Sequence, residues 1–158
     1  MVQNIWKDGV FGLIVGDALG VPVEFSSREE CAHDPVIGMR AYGTHNQPAG
    51  TWSDDSSMIL ATLDSIKQKG KIDYKDIMDK FTEWCLYADY TPFHEVFDIG
   101  VATSRAIIQY GKGTDPIDCG GKTEWDNGNG SLMRILPVCL YLYNRQKMIC
   151  TSENESIY

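Results

Sequence analysis

The chain has 158 residues, of which 43% are hydrophobic and 11% aromatic. That is enough apolar material for one folded domain with a buried core, and it excludes a disordered chain. The 22 acidic residues outnumber the 14 lysines and arginines and give a formal net charge of −8, which argues against nucleic acid as a partner. No apolar stretch reaches the roughly 18–20 residues of a membrane span, so no membrane partner is expected.

Cysteine usage bears on the cellular compartment. The five cysteines are odd in number and scattered, without a C-x-x-C pair or the Cys/His spacing of a zinc module. We therefore expect reduced thiols in a cytoplasmic protein, an expectation that fits the lack of a signal-peptide pattern at Met1. The cysteines are Cys31, Cys85, Cys119, Cys139 and Cys150.

The first predicted element is a helix over Val2–Leu19, in which apolar residues recur at near-helical spacing. The Gly20–Pro22 break ends it. From Glu24 to Gly50 no periodicity is sustained, and this stretch is predicted to be a long loop. Loops of that length inside a compact domain are uncommon and often functional.

Three further helices are predicted over Asp54–Lys69, Asp73–Ala88 and Phe93–Tyr110. Gly70 is the expected end of the first of these, and Thr91-Pro92 is the expected start signal of the third. A loop rich in Gly, Asp and Asn then covers residues 111–130. No strand pattern or repeat stands out, which makes the predicted fold all-α.

The last predicted helix runs from Ser131 to Leu142. Its residues are apolar on nearly every side, which indicates a buried central helix. Pro137 is expected to kink it, because proline lacks the backbone N–H that a helix interior uses.

Ser53, Asp54 and Asp55 begin the Asp54–Lys69 helix and carry the strongest chemical signal. Ser53 occupies the N-cap position, and the two acids fill the first turn. Two carboxylates and a hydroxyl at a helix end offer the oxygen donors that Mg²⁺, Mn²⁺ or Ca²⁺ prefer. Acids in a first turn also stabilise the helix dipole without any ligand. The local pattern leaves both interpretations open.

Two other segments could take part in chemistry. Glu24 follows the Gly-Pro break, where a carboxylate could serve as a general base or could simply be a solvated loop residue. The stretch Asn127–Arg134 has two glycines leading into a predicted helix start, an arrangement that exposes backbone N–H groups to a phosphate. A turn capped by Ser131 would explain the same residues.

The segments Gly16–Phe25, Gly50–Met58 and Gly128–Arg134 together resemble the ADP-ribosylglycohydrolase family in order and spacing. That family includes the dinitrogenase-reductase-activating glycohydrolases and crystallins of the J1 type. The resemblance extends to about Tyr143 and implies an orthogonal multi-helix bundle. It also implies hydrolysis of the glycosidic bond between ADP-ribose and a protein side chain or small molecule.

The resemblance also implies roles for particular residues. Ser53, Asp54 and Asp55 match the first metal-ligand set of a site for two Mg or Mn ions. Glu24 and Asp55 are the expected catalytic residues. The loop that cradles ADP-ribose corresponds to Gly128, Asn129, Gly130, Ser131 and Met133. The expected partner is ADP-ribose or an ADP-ribosylated substrate.

One departure from the family limits these expectations. Family members carry a second acidic motif near their C-terminus, approximately Asp-x-Asp-Thr, whereas the last aspartate here is Asp126. Residues 1–158 are therefore expected to form the N-terminal portion of a truncated family domain. An incomplete metal site and self-association through exposed core of the last helix would follow. A catalytically inactive ADP-ribose-binding or crystallin-like relative is the alternative to a hydrolase.

Overall fold

The computed structural model describes residues 4–126 and 128–155, with side chains up to residue 146. These residues form seven α-helices and two 3₁₀ turns, and within them β structure is limited to one isolated bridge. The predicted all-α class is confirmed. Val2, where the first helix was expected to begin, and Asn127 lie outside the described residues. The helices are α1 Ile5–Gly20, α2 Arg28–His33, α3 Asp54–Lys69, α4 Tyr74–Tyr87, α5 Val101–Gly111, α6 Gly130–Met133 and α7 Leu136–Glu155, and the 3₁₀ turns are Val21–Val23 and Pro116–Asp118.

Helices α3 and α4 begin and end where sequence signals place them. Ser53 is the N-cap of α3, and Gly70 ends it in the left-handed region at φ 67°. Asp73 caps α4 by accepting a hydrogen bond from the backbone N–H of Asp76, and Ala88 ends it, also in the left-handed region. Both predictions are confirmed to within a residue.

Two predictions upstream of α6 are wrong. The expected loop over residues 24–50 contains α2, whose start is fixed by a capping box between Ser27 and Glu30. The helix predicted over Phe93–Tyr110 begins only at Val101, because residues 92–100 are not helical. His94 has a φ of 55°, a left-handed conformation that a right-handed helix cannot contain.

The predicted helix over Ser131–Leu142 is also wrong, because it is divided into α6 and α7. Asn129, not Ser131, occupies the N-cap position of α6, and its side chain makes no capping bond. Pro137 is the second residue of α7, where a proline needs no backbone N–H, so it lies at a helix start instead of a kink. Leu132 and Leu142 are 70% and 53% exposed, which contradicts the predicted buried central helix.

The core lies between α3 and α4, with α1 and α7 packed on α3 and α5 packed on α4. Its central side chain is Trp84, which is 1% exposed. This packing fixes the N-terminus of α3 next to the end of α1 and the start of α5. The buried cluster consists of Met58, Ala61, Ile77, Phe81, Trp84 and Ile107.

Two further expectations concern membranes and disulfides. Among the described residues, no helix is long and apolar enough to cross a membrane. Among the described side chains, Cys31, Cys85, Cys119 and Cys139 are free thiols. The side chain of Cys150 lies outside the described residues.

Candidate active site

Asp17 from α1 organises the N-terminus of α3. Its carboxylate accepts hydrogen bonds from the backbone N–H groups of Ser53 (3.0 Å) and Ser56 (3.1 Å). It also accepts from both serine hydroxyls, at 2.8 Å from Ser53 Oγ and 2.5 Å from Ser56 Oγ. These N–H groups are among those that a helix leaves without an internal partner at its start. Asp17 therefore joins α1 to α3 and satisfies the helix end from outside the helix.

Asp54 and Asp55 face a strongly negative environment. Asp54 is only 6% exposed, and its carboxylate accepts a backbone hydrogen bond from Gly100. Burial, followed by the charges of Asp98 and Asp55, raises the pKa of Asp54 to about 6. Burial and the charge of Asp17 likewise raise the pKa of Asp55. Each carboxylate is thus ionised at a cost in free energy.

The guanidinium of Arg134 is a positive group that interacts with the charge of Asp54. Burial lowers the pKa of Arg134, and the charge of Asp54 opposes that change. The side chain lies over the ring of Phe81 at 5.3 Å, and its Nη1 is 3.5 Å from the Thr103 hydroxyl. Arg105 also lines the cleft, where the carboxylates of Glu24, Asp54, Asp55, Asp98 and Asp126 outnumber these two arginines.

This donor set fits a hard divalent cation. Ser53, Asp54 and Asp55 supply only oxygen atoms. Burial first, and then repulsion from neighbouring carboxylates, raises the pKa of both aspartates. A bound cation would relieve that repulsion. The predicted ligands are therefore chemically suited to Mg²⁺ or Mn²⁺.

A cleft of about 450 Å³ brings most of the predicted site residues together. Its lining includes Glu24, Phe25, Asp54, Asp55, Asp98, Trp125, Gly128, Asn129, Gly130 and Met133. Ser53 lies in an adjoining recess that it shares with Asp17, Glu24 and Asp55. Ser131 does not line the cleft. It lines a separate groove, which is bordered by residues of α4 and by Arg134.

Glycine at position 130 allows the predicted ligand-binding loop to pack against α5. A Cβ atom on Gly130 would lie 2.7 Å from Thr103 Oγ1, closer than side chains tolerate, and one on Gly128 would lie 3.5 Å from Ala102 Cβ. The backbone of this loop therefore approaches the start of α5 directly. That approach forms one wall of the cleft.

Glu24 is held by the turn over residues 42–47. Its carboxylate Oε2 lies 2.5 Å from His45 Nε2, and its backbone carbonyl accepts a 2.7 Å hydrogen bond from the Thr44 hydroxyl. Gly43 makes this approach possible, because a Cβ there would lie 2.0 Å from the carbonyl oxygen of Pro22. The Glu24 side chain remains 37% exposed and accessible from the cleft.

Asp17, His45 and Asp98 are residues whose part in the site the sequence did not indicate. Asp98 lies within the helix that was predicted over Phe93–Tyr110. The left-handed conformation of His94, which is incompatible with that helix, has no sequence signature. His45 lies in a stretch without periodicity. Asp17 is a charged residue late in an otherwise apolar helix, and that anomaly was the available sequence signal.

Comparison with known proteins agrees with these features. Residues 4–155 match the family model described as ADP-ribosylglycohydrolase. The chain is 32% identical over 139 residues to the ADP-ribosylarginine hydrolase Tri1 of Pseudomonas putida (strain GB-1), a match that covers 85% of this chain and 35% of that protein. It is 35% identical over 141 residues to the ADP-ribosyl-[dinitrogen reductase] glycohydrolase of Rhodospirillum rubrum, covering 82% of this chain and 42% of that one.

A solved structure gives the same result at the level of fold. A chain of an ADP-ribosylglycohydrolase-related protein complex superposes with a TM-score of 0.65 and 37% identity, and the match covers 83% of this chain and 40% of that chain. The chain thus spans 35–44% of the length of the curated relatives that it matches.

Proposed function

The chain belongs to the ADP-ribosylglycohydrolase family, and we propose that it contributes the catalytic cleft of a hydrolase that cleaves the glycosidic bond of ADP-ribose. The observation that carries this proposal is the convergence of three sequence segments on one cleft. Glu24, Asp54 with Asp55, and the loop Gly128–Gly130 are separated by dozens of residues in the chain and line the same space.

Ser53, Asp54 and Asp55 are proposed to hold a divalent cation, Mg²⁺ or Mn²⁺, at the N-terminus of α3. The support is the all-oxygen donor set and the excess of negative charge around Asp54. Asp17 keeps this helix end rigid by accepting hydrogen bonds from Ser53 and Ser56. When bound, the cation supplies Lewis-acid polarisation of ribose oxygens.

Glu24 is proposed to handle the proton of the attacking water. Its side chain reaches the cleft while His45 holds one of its carboxylate oxygens. A carboxylate fixed in this way can accept a proton from water and return it to the leaving group. Asp55, next to Glu24 in the adjoining recess, is the second expected catalytic carboxylate.

Gly128, Asn129, Gly130 and Met133 are proposed to bind ADP-ribose. The backbone of Gly130 lies against α5, and the loop lines the same cleft as Asp54 and Asp55. In a protein with a net charge of −8, a diphosphate has to be held by backbone N–H groups, a cation or a local arginine. A modified arginine is the substrate that the name of the P. putida relative suggests.

The test measures hydrolysis and binding separately on the full chain. Release of ADP-ribose from an ADP-ribosylated arginine peptide is followed with Mn²⁺ or Mg²⁺ present, and ADP-ribose binding is measured by calorimetry. Glu24→Gln is expected to lower the rate by about 10²–10⁴-fold with little change in binding, because it removes only the proton acceptor. Glu29→Gln, on the exposed helix α2, is the matched control and should behave as the parent does.

The outcomes discriminate between the two candidate roles. Metal-dependent release that Glu24→Gln abolishes supports the hydrolase. ADP-ribose binding without any release would instead identify a catalytically inactive binding relative. Release that Glu24→Gln and the double variant Asp54→Asn/Asp55→Asn leave unchanged would disprove the proposed site.

A further inference from the structure

The geometry points to a second cation site in this protein, formed by Glu24, His45 and Asp98 and suited to a borderline divalent ion such as Zn²⁺ or Co²⁺. One donor atom from each side chain lies within 4.8 Å of the other two. The site differs from the oxygen-only set at Ser53, Asp54 and Asp55 because it includes an imidazole nitrogen. It shares Glu24 with the proposed catalytic cleft, but its occupancy can be measured without any substrate.

His45 is fixed with its Nε2 towards the two carboxylates. Its ring lies between those of Phe25 and Phe97, with centroids at 6.1 Å and 5.2 Å, and its side chain is only 13% exposed. The neighbouring Thr44 is tied to residues 22–24 by hydrogen bonds to the carbonyls of Pro22 (3.1 Å) and Glu24 (2.7 Å). The imidazole is therefore prepositioned, and little rotamer entropy is lost when it binds an ion.

The spacing of the donor atoms suits a small ion after modest rearrangement. Around tetrahedral Zn²⁺, with bonds of about 2.0–2.2 Å, donor atoms lie roughly 3.3–3.5 Å apart. His45 Nε2 and Glu24 Oε2 are 2.5 Å apart and would have to separate by about 1 Å, while the Asp98 carboxylate already lies within 4.8 Å of both. Side-chain rotation covers such distances, and solvent from the open cleft can complete the coordination.

The donor types decide which ion the site takes. Imidazole favours Zn²⁺, Co²⁺ and Ni²⁺, whereas Mg²⁺ prefers carboxylates and water. The site is expected to bind one equivalent of Zn²⁺ or Co²⁺ in the presence of excess Mg²⁺. Millimolar Mg²⁺ competes with Co²⁺ for the oxygen-only position proposed above, and the Co²⁺ binding that is lost on substitution of His45 reports on the mixed-donor position.

The experiment titrates Co²⁺ into the full chain, without a histidine tag, in millimolar Mg²⁺. Binding is read from the visible ligand-field absorption of Co²⁺ and from the imidazole NMR signals. The chain has three histidines, so the signal of the coordinating one can be assigned by substitution. His45→Asn and Asp98→Asn are each expected to weaken Co²⁺ binding by at least about 10-fold, the lower end of what even an outer-shell partner contributes.

His33→Gln is the matched control, because His33 is exposed at the end of α2 and does not belong to the cluster of three donors. It should bind Co²⁺ as the parent does. Circular dichroism is used to check that each variant is folded. If His45→Asn does not fold, the Co²⁺ affinity of Asp98→Asn tests the proposal. Absence of Co²⁺ and Zn²⁺ binding by the parent, or parent-like binding by a folded His45→Asn or Asp98→Asn variant, would overturn the proposal. No substrate enters the experiment, so its failure leaves the proposed hydrolase untouched.

Discussion

Asp54→Asn should stabilise the metal-free protein at neutral pH, although it removes a proposed metal ligand. The charged Asp54 is disfavoured by burial and by the nearby charges of Asp98 and Asp55, which together raise its pKa from the ordinary 3.8 to about 6. Asparagine has the same shape, and its carbonyl oxygen can still accept the hydrogen bond from Gly100. The substitution removes a charge whose net effect is unfavourable, since its burial and the repulsion from Asp98 and Asp55 outweigh its attraction to Arg134.

The magnitude follows from the pKa. A rise from 3.8 to about 6 corresponds to at most about 3 kcal/mol of destabilisation when Asp54 is ionised. Because solvent in the cleft screens part of this charge, we expect a gain of about 1–2 kcal/mol, or about 3–6 °C in Tm for a chain of this size. The contribution of a protonated Asp54 to stability is fully present below pH 3.8 and is lost as the pH rises through about 6. The advantage of Asp54→Asn should therefore be largest above pH 7 and should shrink towards pH 4.

The assay is urea or thermal unfolding in a chelating buffer at several pH values. Asp73→Asn is the control, because its backbone hydrogen bond from Asp76 lowers the pKa of Asp73 and asparagine still caps a helix. The Asp73→Asn variant should show no increase in the free energy of unfolding. Adding Mg²⁺ should raise the stability of the parent, by about 2.7 kcal/mol at 100 times the Kd, and leave Asp54→Asn nearly unchanged. If Asp54→Asn is less stable than the parent at pH 8 in chelator, the electrostatic argument is wrong.

Other predictions concern the parts of the fold that support the site. Asp17→Asn should lower the free energy of unfolding by about 1–3 kcal/mol, because its amide nitrogen cannot accept the hydrogen bond that Ser53 Oγ donates to Asp17 Oδ1, and the negative charge facing the start of α3 is lost; urea denaturation measures this. Trp84→Ala should cost about 3–5 kcal/mol in the same assay. Gly43→Ala should displace the turn from Pro22 and shift the His45 imidazole NMR signals. Exposed Leu132 and Leu142 predict self-association that rises with concentration, and a constant monomer mass by light scattering would contradict it.

Helices whose ends are determined by capping residues in the adjacent sequence could be predicted. Helix α3 has Ser53 at its start and Gly70 at its end, and each residue affects the backbone conformation at its own position. The short helix α2 was overlooked because six residues give too little periodicity, although the Ser27–Glu30 capping box was visible. Residues 93–100 could not be predicted, because the left-handed conformation of His94 depends on tertiary packing and not on a glycine.

The candidate site was predicted only in part, for a related reason. Glu24, Asp54 and Asp55 stand out as acids beside helix breaks, and the structure brings all three to one cleft. Asp98 and His45 reach that cleft from segments without regular periodicity, and their approach depends on contacts between turns that are distant in sequence. Sequence spacing carries no information about such contacts. Ser131 shows the converse, since adjacency in sequence to Gly130 did not bring it into the cleft.

The start of α3 resolves how two acids in a first turn can be available to a ligand. Such acids ordinarily stabilise a helix by interacting with its free N–H groups. Here Asp17 accepts from the N–H groups of Ser53 and Ser56, and Ser53 Oγ accepts from that of Asp55 at 3.3 Å. The capping function is thus supplied by α1 and by the serine. Asp54 and Asp55 are therefore not needed to cap the helix. Their carboxylates remain in the cleft as charges that the helix N-terminus alone does not neutralise. Removal of Asp17 should therefore weaken cation binding as well as stability, because Asp54 and Asp55 would then turn back to cap the helix.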